Sequence, residues 1–190
     1  YTIGVYENIS GNQYATALNE QMTITIKNEF GPYLYPNQYV NFTAQSQVVN
    51  KAQALAASAD SDIDVVTSVY NYIIDNISYD YDKAKSVTSG YLPDVDTVLS
   101  SQKGICFDYA AVMTAMLRSQ RIPTRLEVGY MGDVYHAWIS IYTKETGWVN
   151  GIIKFDGKNW ELMDPTFAST SKSPKNFTSE NSKYTTKYVY

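Results

Sequence analysis

Apolar residues recur every three or four positions from Ile63 through Val66, Val69, Tyr70, Ile73, Ile74 and Ile77. That spacing gives a helix one oily face and predicts a helix over residues 61–77. Ser61 is its cap, and Asp62 and Asp64 fall in the first turn, where the helix dipole favours acids by about 0.3–1 kcal/mol. An Ala- and Gln-rich run from Val48 to Ala59 predicts a helix before it. Residues 78–92 read as a loop rich in Tyr and Asp, after which Asp94 caps a short helix carrying Val95, Val98 and Leu99. Gly104 breaks the chain, and a further helix is expected from about Cys106 to Gln120. Ala110, Met113, Ala115, Met116 and Leu117 are good helix formers, and Arg118 and Arg121 sit near its C-terminus.

After Pro123 the period changes. Strands are predicted over 125–130, 135–142, 147–155 and 159–163, with turns at Gly132-Asp133 and Asp156-Gly157-Lys158. Alternation in the second strand puts His136, Trp138, Ser140 and Tyr142 on one face and Tyr135, Ala137, Ile139 and Ile141 on the other. Near the start, Met22-Thr-Ile-Thr-Ile-Lys27 alternates and reads as a half-buried strand. Phe30-Gly-Pro-Tyr-Leu-Tyr-Pro36 is turn chemistry with aromatics. Helices followed by an antiparallel meander predict an α+β fold, with the helices packed on the sheet. Residues 1–45 are expected to form an arm packing on a core of residues 46–168. Residues 169–190, rich in Ser, Thr, Lys and Asn, are expected to be a surface tail.

Composition bears on function more than on fold. Hydrophobic residues are 44% of the chain, enough for a core. Fifteen basic residues against nineteen acidic ones, with no Lys/Arg run, exclude nucleic acid as the expected partner. No apolar run approaches the roughly 18–20 residues of a spanning helix. Charged residues are 18% while tyrosines number 18, and the first residue is Tyr1, so a processed or trimmed exported bacterial protein is expected, extracellular or associated with the cell envelope. A single cysteine rules out an internal disulfide, so packing alone holds the fold.

That cysteine, Cys106, stands where a loop delivers the chain into a helix. Unpaired N–H groups and the dipole favour a thiolate there, and the backbone amides can face a developing oxyanion. A free Cys is also at home as a small buried hydrophobe. Asp108, in the same turn, would oppose the thiolate unless it points away or pairs with a base such as Arg125. His136 is the only histidine and hence the only partner for a Cys–His pair, though a lone strand histidine is often structural. Asp164 closes a strand ahead of Pro165, where it can accept from an imidazole on a neighbouring strand or simply initiate a turn. A metal site from Cys, His and Asp lacks the close ligand pairs such sites use, and no metal or cofactor is expected.

Several blocks, in this order and at this spacing, carry a resemblance. They are Gly104-Ile-Cys106-Phe-Asp-Tyr-Ala110 with Met116-Leu-Arg118, then Ile122-Pro123, Gly129-Tyr130, Tyr135-His136-Ala-Trp138 and Trp160-Glu-Leu-Met-Asp164-Pro-Thr166. Ile77-Ser-Tyr79-Asp80 and Gly90-Tyr-Leu-Pro-Asp94 add to it. Together they resemble the transglutaminase-like (papain-like) superfamily, in its microbial branch, over residues 50–168. The resemblance implies Cys106 as nucleophile, His136 as base and Asp164 as orienting carboxylate, with Gln102 a candidate second oxyanion donor. The animal cross-linking enzymes resemble Gly-Gln-Cys-Trp at the nucleophile, where this chain has Gly104-Ile105-Cys106-Phe107, and no acidic calcium loop is evident. The expectation is therefore a cysteine peptidase or amidase, or an acyl transferase, acting through a thioester on protein, peptide or peptidoglycan-like amides. The other reading is a catalytically idle module that binds peptide or cell-wall glycan through its tyrosines.

Overall fold

A computed structural model describes residues 1–144, 146–150, 153–155, 160–162, 166 and 184–190 of the chain. Strands β1 (Thr2–Ser10) and β2 (Gln13–Gln21) form an antiparallel hairpin turned at Gly11-Asn12, with Gly11 at φ +53°. Every residue of both strands is exposed. The strand expected at 22–27 is not formed; Met22, Ile24 and Ile26 are exposed in irregular chain. From Phe30 the chain does engage the core. A single 3-10 turn (Gly31–Tyr33) brings Phe30 to 4.5 Å from the Tyr142 ring and Tyr33 to 5.2 Å from Trp148, and Val40 is fully buried.

Helix α1 (Gln47–Ala56) precedes α2 (Asp62–Asn76), and the Ser61 hydroxyl accepts from the Asp64 amide as the sequence predicts. The two-residue strand β3 (Ser78–Tyr79) leads into α3 (Tyr81–Ser86), capped by Asp80, within the stretch read as loop. Helix α4 (Val95–Ser101) is capped by Asp94 and leads through β4 (Lys103–Gly104) into α5 (Cys106–Ser119). Helix α5 is the core's axis. From Asp108 to Arg118 every residue is buried.

The sheet pairs β5 (Thr124–Met131), β6 (Val134–Thr143) and β7 (Gly147–Asn150) in an antiparallel meander. Gly132, at φ +59°, sits in the first turn, as its sequence signal indicates. Ala137, Ile139 and Ile141 join the core together with α5, whereas Trp138 meets Tyr184 and Ser140 donates to Glu127, so the alternation predicted for β6 holds. Strands β8 (Ile153–Phe155) and β9 (Trp160–Leu162) form a separate antiparallel pair, where one strand over 147–155 was expected. The turn 156–158 lies outside the described residues.

The end of the chain departs from the tail expected over 169–190. Strand β10 (Tyr184–Val189) pairs antiparallel with β5 and becomes the edge of a sheet ordered β10-β5-β6-β7. Gly129 permits this, because a Cβ there would stand 2.0 Å from the Thr185 carbonyl oxygen. Arg118 fastens the assembly. Its side chain is 1% exposed and donates to the carbonyls of Thr124, Tyr35 and Tyr190, so one guanidinium joins α5 to the arm, to β5 and to the last residue. Burial pulls its pKa down to about 10.

Candidate active site

Three interactions set where Cys106 stands. β3 and β4 pair in parallel, Ser78 with Lys103 and Tyr79 with Gly104, through Ser78 N–H to the Gln102 carbonyl and Asp80 N–H to the Gly104 carbonyl, both 2.9 Å. The Tyr109 hydroxyl, from inside α5, donates to the Ile77 carbonyl at 2.6 Å. Asp108 folds back so that its Oδ2 accepts from the Ile105 amide at 2.8 Å, supplying an acceptor at a helix start whose N-cap side chain is apolar. Gly104 makes room for that turn, since a Cβ there would lie 2.7 Å from the Asp108 Cβ. Cys106 is thus the first residue of α5, partly exposed, with the helix's unpaired amides around it.

Asp108 does not pair with Arg125. It is fully buried, and its oxygens are taken by Lys83 Nζ at 2.7 Å, the Tyr91 hydroxyl at 2.5 Å and the Ile105 amide. Burial lowers the Lys83 ammonium, but its hydrogen bonds to Asp108 and Tyr91 outweigh that and raise it. The carboxylate's charge is therefore answered inside its own network rather than presented to the thiol. Arg125 instead lies over Trp148, 3.6 Å from the ring centroid, and over Tyr33.

The sheet supplies the opposite wall. His136 pairs with Gly129 across β5 and β6, is 5% exposed, and stacks at 6.3 Å on Trp138. Cys106 and His136 line one cavity of about 440 Å³. Tyr79 and Tyr135 line it too, and the Cys106 thiol acts on both phenols electrostatically. Burial first, then Cys106, pushes Tyr79 up to about 12. Burial raises Tyr135, with smaller contributions from Tyr188, Tyr130 and Cys106.

Of the residues singled out from sequence, Cys106 and His136 are brought to the same cavity. Asp164 lies outside the described residues. Gln102 is the left-handed C-cap of α4 (φ 55°), with its carbonyl turned to Ser78, and is not among the residues lining the cavity. Sequence reading missed Lys83 and Tyr91, whose tie to Asp108 spans 25 and 17 residues and leaves no local signature. It also missed Tyr39 and Tyr190, which line the cavity from the arm and from the chain's end.

Residues 49–151 match the family model of the transglutaminase-like superfamily. The chain is 31% identical over 97 residues to the UPF0252 protein MJ1282 of Methanocaldococcus jannaschii, covering 44% of this chain and 27% of that protein. It is 24% identical over 197 residues to protein YebA of Bacillus subtilis, covering 92% of this chain and 25% of YebA. Among solved structures, a candidate cysteine protease from Cytophaga hutchinsonii superposes with a TM-score of 0.52 at 22% identity, over 74% of this chain and 43% of that one. The periplasmic domain of TgpA from Pseudomonas aeruginosa superposes with a TM-score of 0.51 at 19% identity, over 68% and 46%. These superpositions establish a shared fold. The chain spans about a quarter of the length of the two curated relatives.

Proposed function

The chain belongs to the transglutaminase-like superfamily, and from that premise we propose that it is a thiol-dependent amide-bond enzyme using Cys106, His136 and Asp164. The observation that supports this most is that Cys106, at the start of α5, and His136, on β6, line one cavity. The Cys106 thiolate attacks the amide carbonyl carbon, forming a C–S bond and an oxyanion that the first amides of α5 receive. Collapse breaks the C–N bond, and the leaving amine takes its proton from the His136 imidazolium. A thioester remains. Water then attacks it, giving a proton to His136 as the C–S bond breaks and the thiolate returns. Asp164 holds the imidazole in the required tautomer.

Water is the proposed acceptor because Cys106 is partly exposed and nothing among the described residues around it marks a channel selective for amines. Action outside the cytoplasm, in the cell envelope or beyond it, is part of the proposal. It draws on the neutral-polar composition and on the fold shared with a periplasmic domain. No helix among the described residues is long and apolar enough to cross a membrane.

Thiol alkylation tests the reading. Iodoacetamide at pH 6–7 is expected to label Cys106 faster than a free thiol, and His136→Ala is expected to remove the excess rate. Cys106→Ala and His136→Ala should abolish peptide turnover while leaving thermal unfolding nearly unchanged. Asp164→Asn should lower the rate by roughly 10²–10⁴ with the fold kept. A Cys106 that labels no faster than glutathione would return the chain to the idle binding module.

A further inference from the structure

No Asp, Glu, Lys, Arg, Asn or Gln side chain is found among the described residues that line the cavity around Cys106. Aromatic rings and small or aliphatic side chains line it instead. Phe107, adjacent to the nucleophile, lies 6.3 Å from Tyr39 and 6.4 Å from Tyr91, and Tyr39 lies 3.9 Å from Tyr190. The four rings form a continuous row, Tyr190–Tyr39–Phe107–Tyr91, drawn from the chain's end, the arm, α5 and the segment after α3. Tyr91 is fixed by its hydrogen bonds to Asp108 and Lys83, and the Tyr190 backbone by its exchange with Leu126. Ring positions are therefore held before any ligand arrives, which lowers the cost of ordering them on binding.

We propose that this row is a subsite for an uncharged aromatic or branched aliphatic side chain beside the reacting amide, so that the substrate class is a neutral, apolar peptide. The inference rests on the thiol-enzyme reading for the position of the amide, and the subsite itself rests on the row. An ionised side chain entering here loses hydration and gains no counter-charge from the four rings, and the Lys83 ammonium beside Tyr91 is already paired with Asp108. A ring or branched alkyl group loses only water of apolar hydration and gains ring contacts. The phenols of the row stay neutral across physiological pH, with burial pushing Tyr91 and Tyr190 up to about 12. A glycan fits less well. Its hydroxyls need fixed carboxylate or amide partners, and among the described lining residues only Thr88, Ser89 and phenols offer hydroxyls.

Binding and turnover separate the two readings. Calorimetry on the Cys106→Ala chain of residues 1–190 would use N-acetyl dipeptide amides bearing Phe, Leu, Asp or Lys at the same position, with chitotriose as the glycan probe. The Phe and Leu amides are expected to bind roughly tenfold more tightly than the Asp and Lys amides. Adding Phe107→Leu, which removes the ring but keeps an apolar side chain, should erase most of the advantage of the Phe amide over the Asp and Lys amides while weakening the Leu amide less. Equal affinities, preferential binding of chitotriose, an unchanged Phe preference in Phe107→Leu, or no binding of the Phe amide at millimolar concentration would overturn the subsite. If the preference holds while the wild-type chain cleaves none of the peptides, the subsite stands and the hydrolytic reading falls. If the wild type cleaves all four peptides equally, the reverse is true.

Discussion

Asp108 is a carboxylate removed from water, two residues past Cys106, and such a group persists only when donors fill its oxygens. Here an amide, an ammonium and a phenol do so. Asp108→Ala would leave the Ile105 amide and the Tyr91 hydroxyl without their acceptor and is expected to cost about 3 kcal/mol in urea unfolding. Lys83→Met removes a partner that is 27% exposed and should cost less, about 0.5–2 kcal/mol. The same network has a pH signature. Burial and the hydrogen bond to Asp108 push Tyr91 up to about 12, and burial together with Cys106 does the same to Tyr79. Phenols whose folded pKa exceeds the unfolded value near 10 contribute stability that is fully present below pH 10 and is lost as pH rises through about 12. Absorbance titration should show a late-ionising group of tyrosines, and unfolding midpoints should fall over that window. Tyr91→Phe should remove one late phenol from the titration.

Among the elements, α1, α2, α4 and α5 were legible because each carries its own local evidence, whereas α3 lies in the stretch read as loop. The period of α2 and the caps Ser61 and Asp94 act within a few residues, and the structure uses them. The strand expected at 22–27 does not form, and the hairpin before it went unread, for a physical reason. Met22-Thr-Ile-Thr-Ile alternates more cleanly than either real strand, but alternation describes a face awaiting burial, and nothing buries this region. What sets the hairpin is Gly11-Asn12, a two-residue turn signal that lies plainly in the sequence, reinforced by the Asn8 side-chain amide donating to the Gly11 carbonyl. Strand β10 was taken for tail because Ser, Thr, Lys and Asn precede it, although Tyr184-Thr-Thr-Lys-Tyr-Val189 has strand propensity. Its docking depends on Gly129, whose need for a bare backbone emerges only when a strand some 55 residues later arrives. Gly129→Ala is expected to displace β10 and lower stability by about 1–3 kcal/mol, with loss of amide protection at Leu126 and Tyr190 as the specific readout. The candidate site was legible at Cys106 and His136, whose blocks are local, and not in the aromatic row, which no sequence window contains.

Across the molecule, the described residues comprise a core and one hairpin that packs nothing into it. The β1–β2 hairpin has no buried residue, and a two-stranded ribbon alone is marginal in water. Removing residues 1–26 is expected to shift the melting temperature by less than about 2 °C, as for surface changes generally. Truncation into Phe30–Val40 should do far more, because those residues are packed. Arg118 explains where the line falls. Tyr35 and Tyr190 are 155 positions apart, yet their carbonyls accept from the same guanidinium. The two ends of the packed chain are consequently neighbours in space, and the core is a ring in all but covalent connection. A short linker from Tyr190 back to residue 30, with new termini opened at the exposed Ser58 between α1 and α2, should yield a circular permutant that folds and keeps the cavity around Cys106 intact.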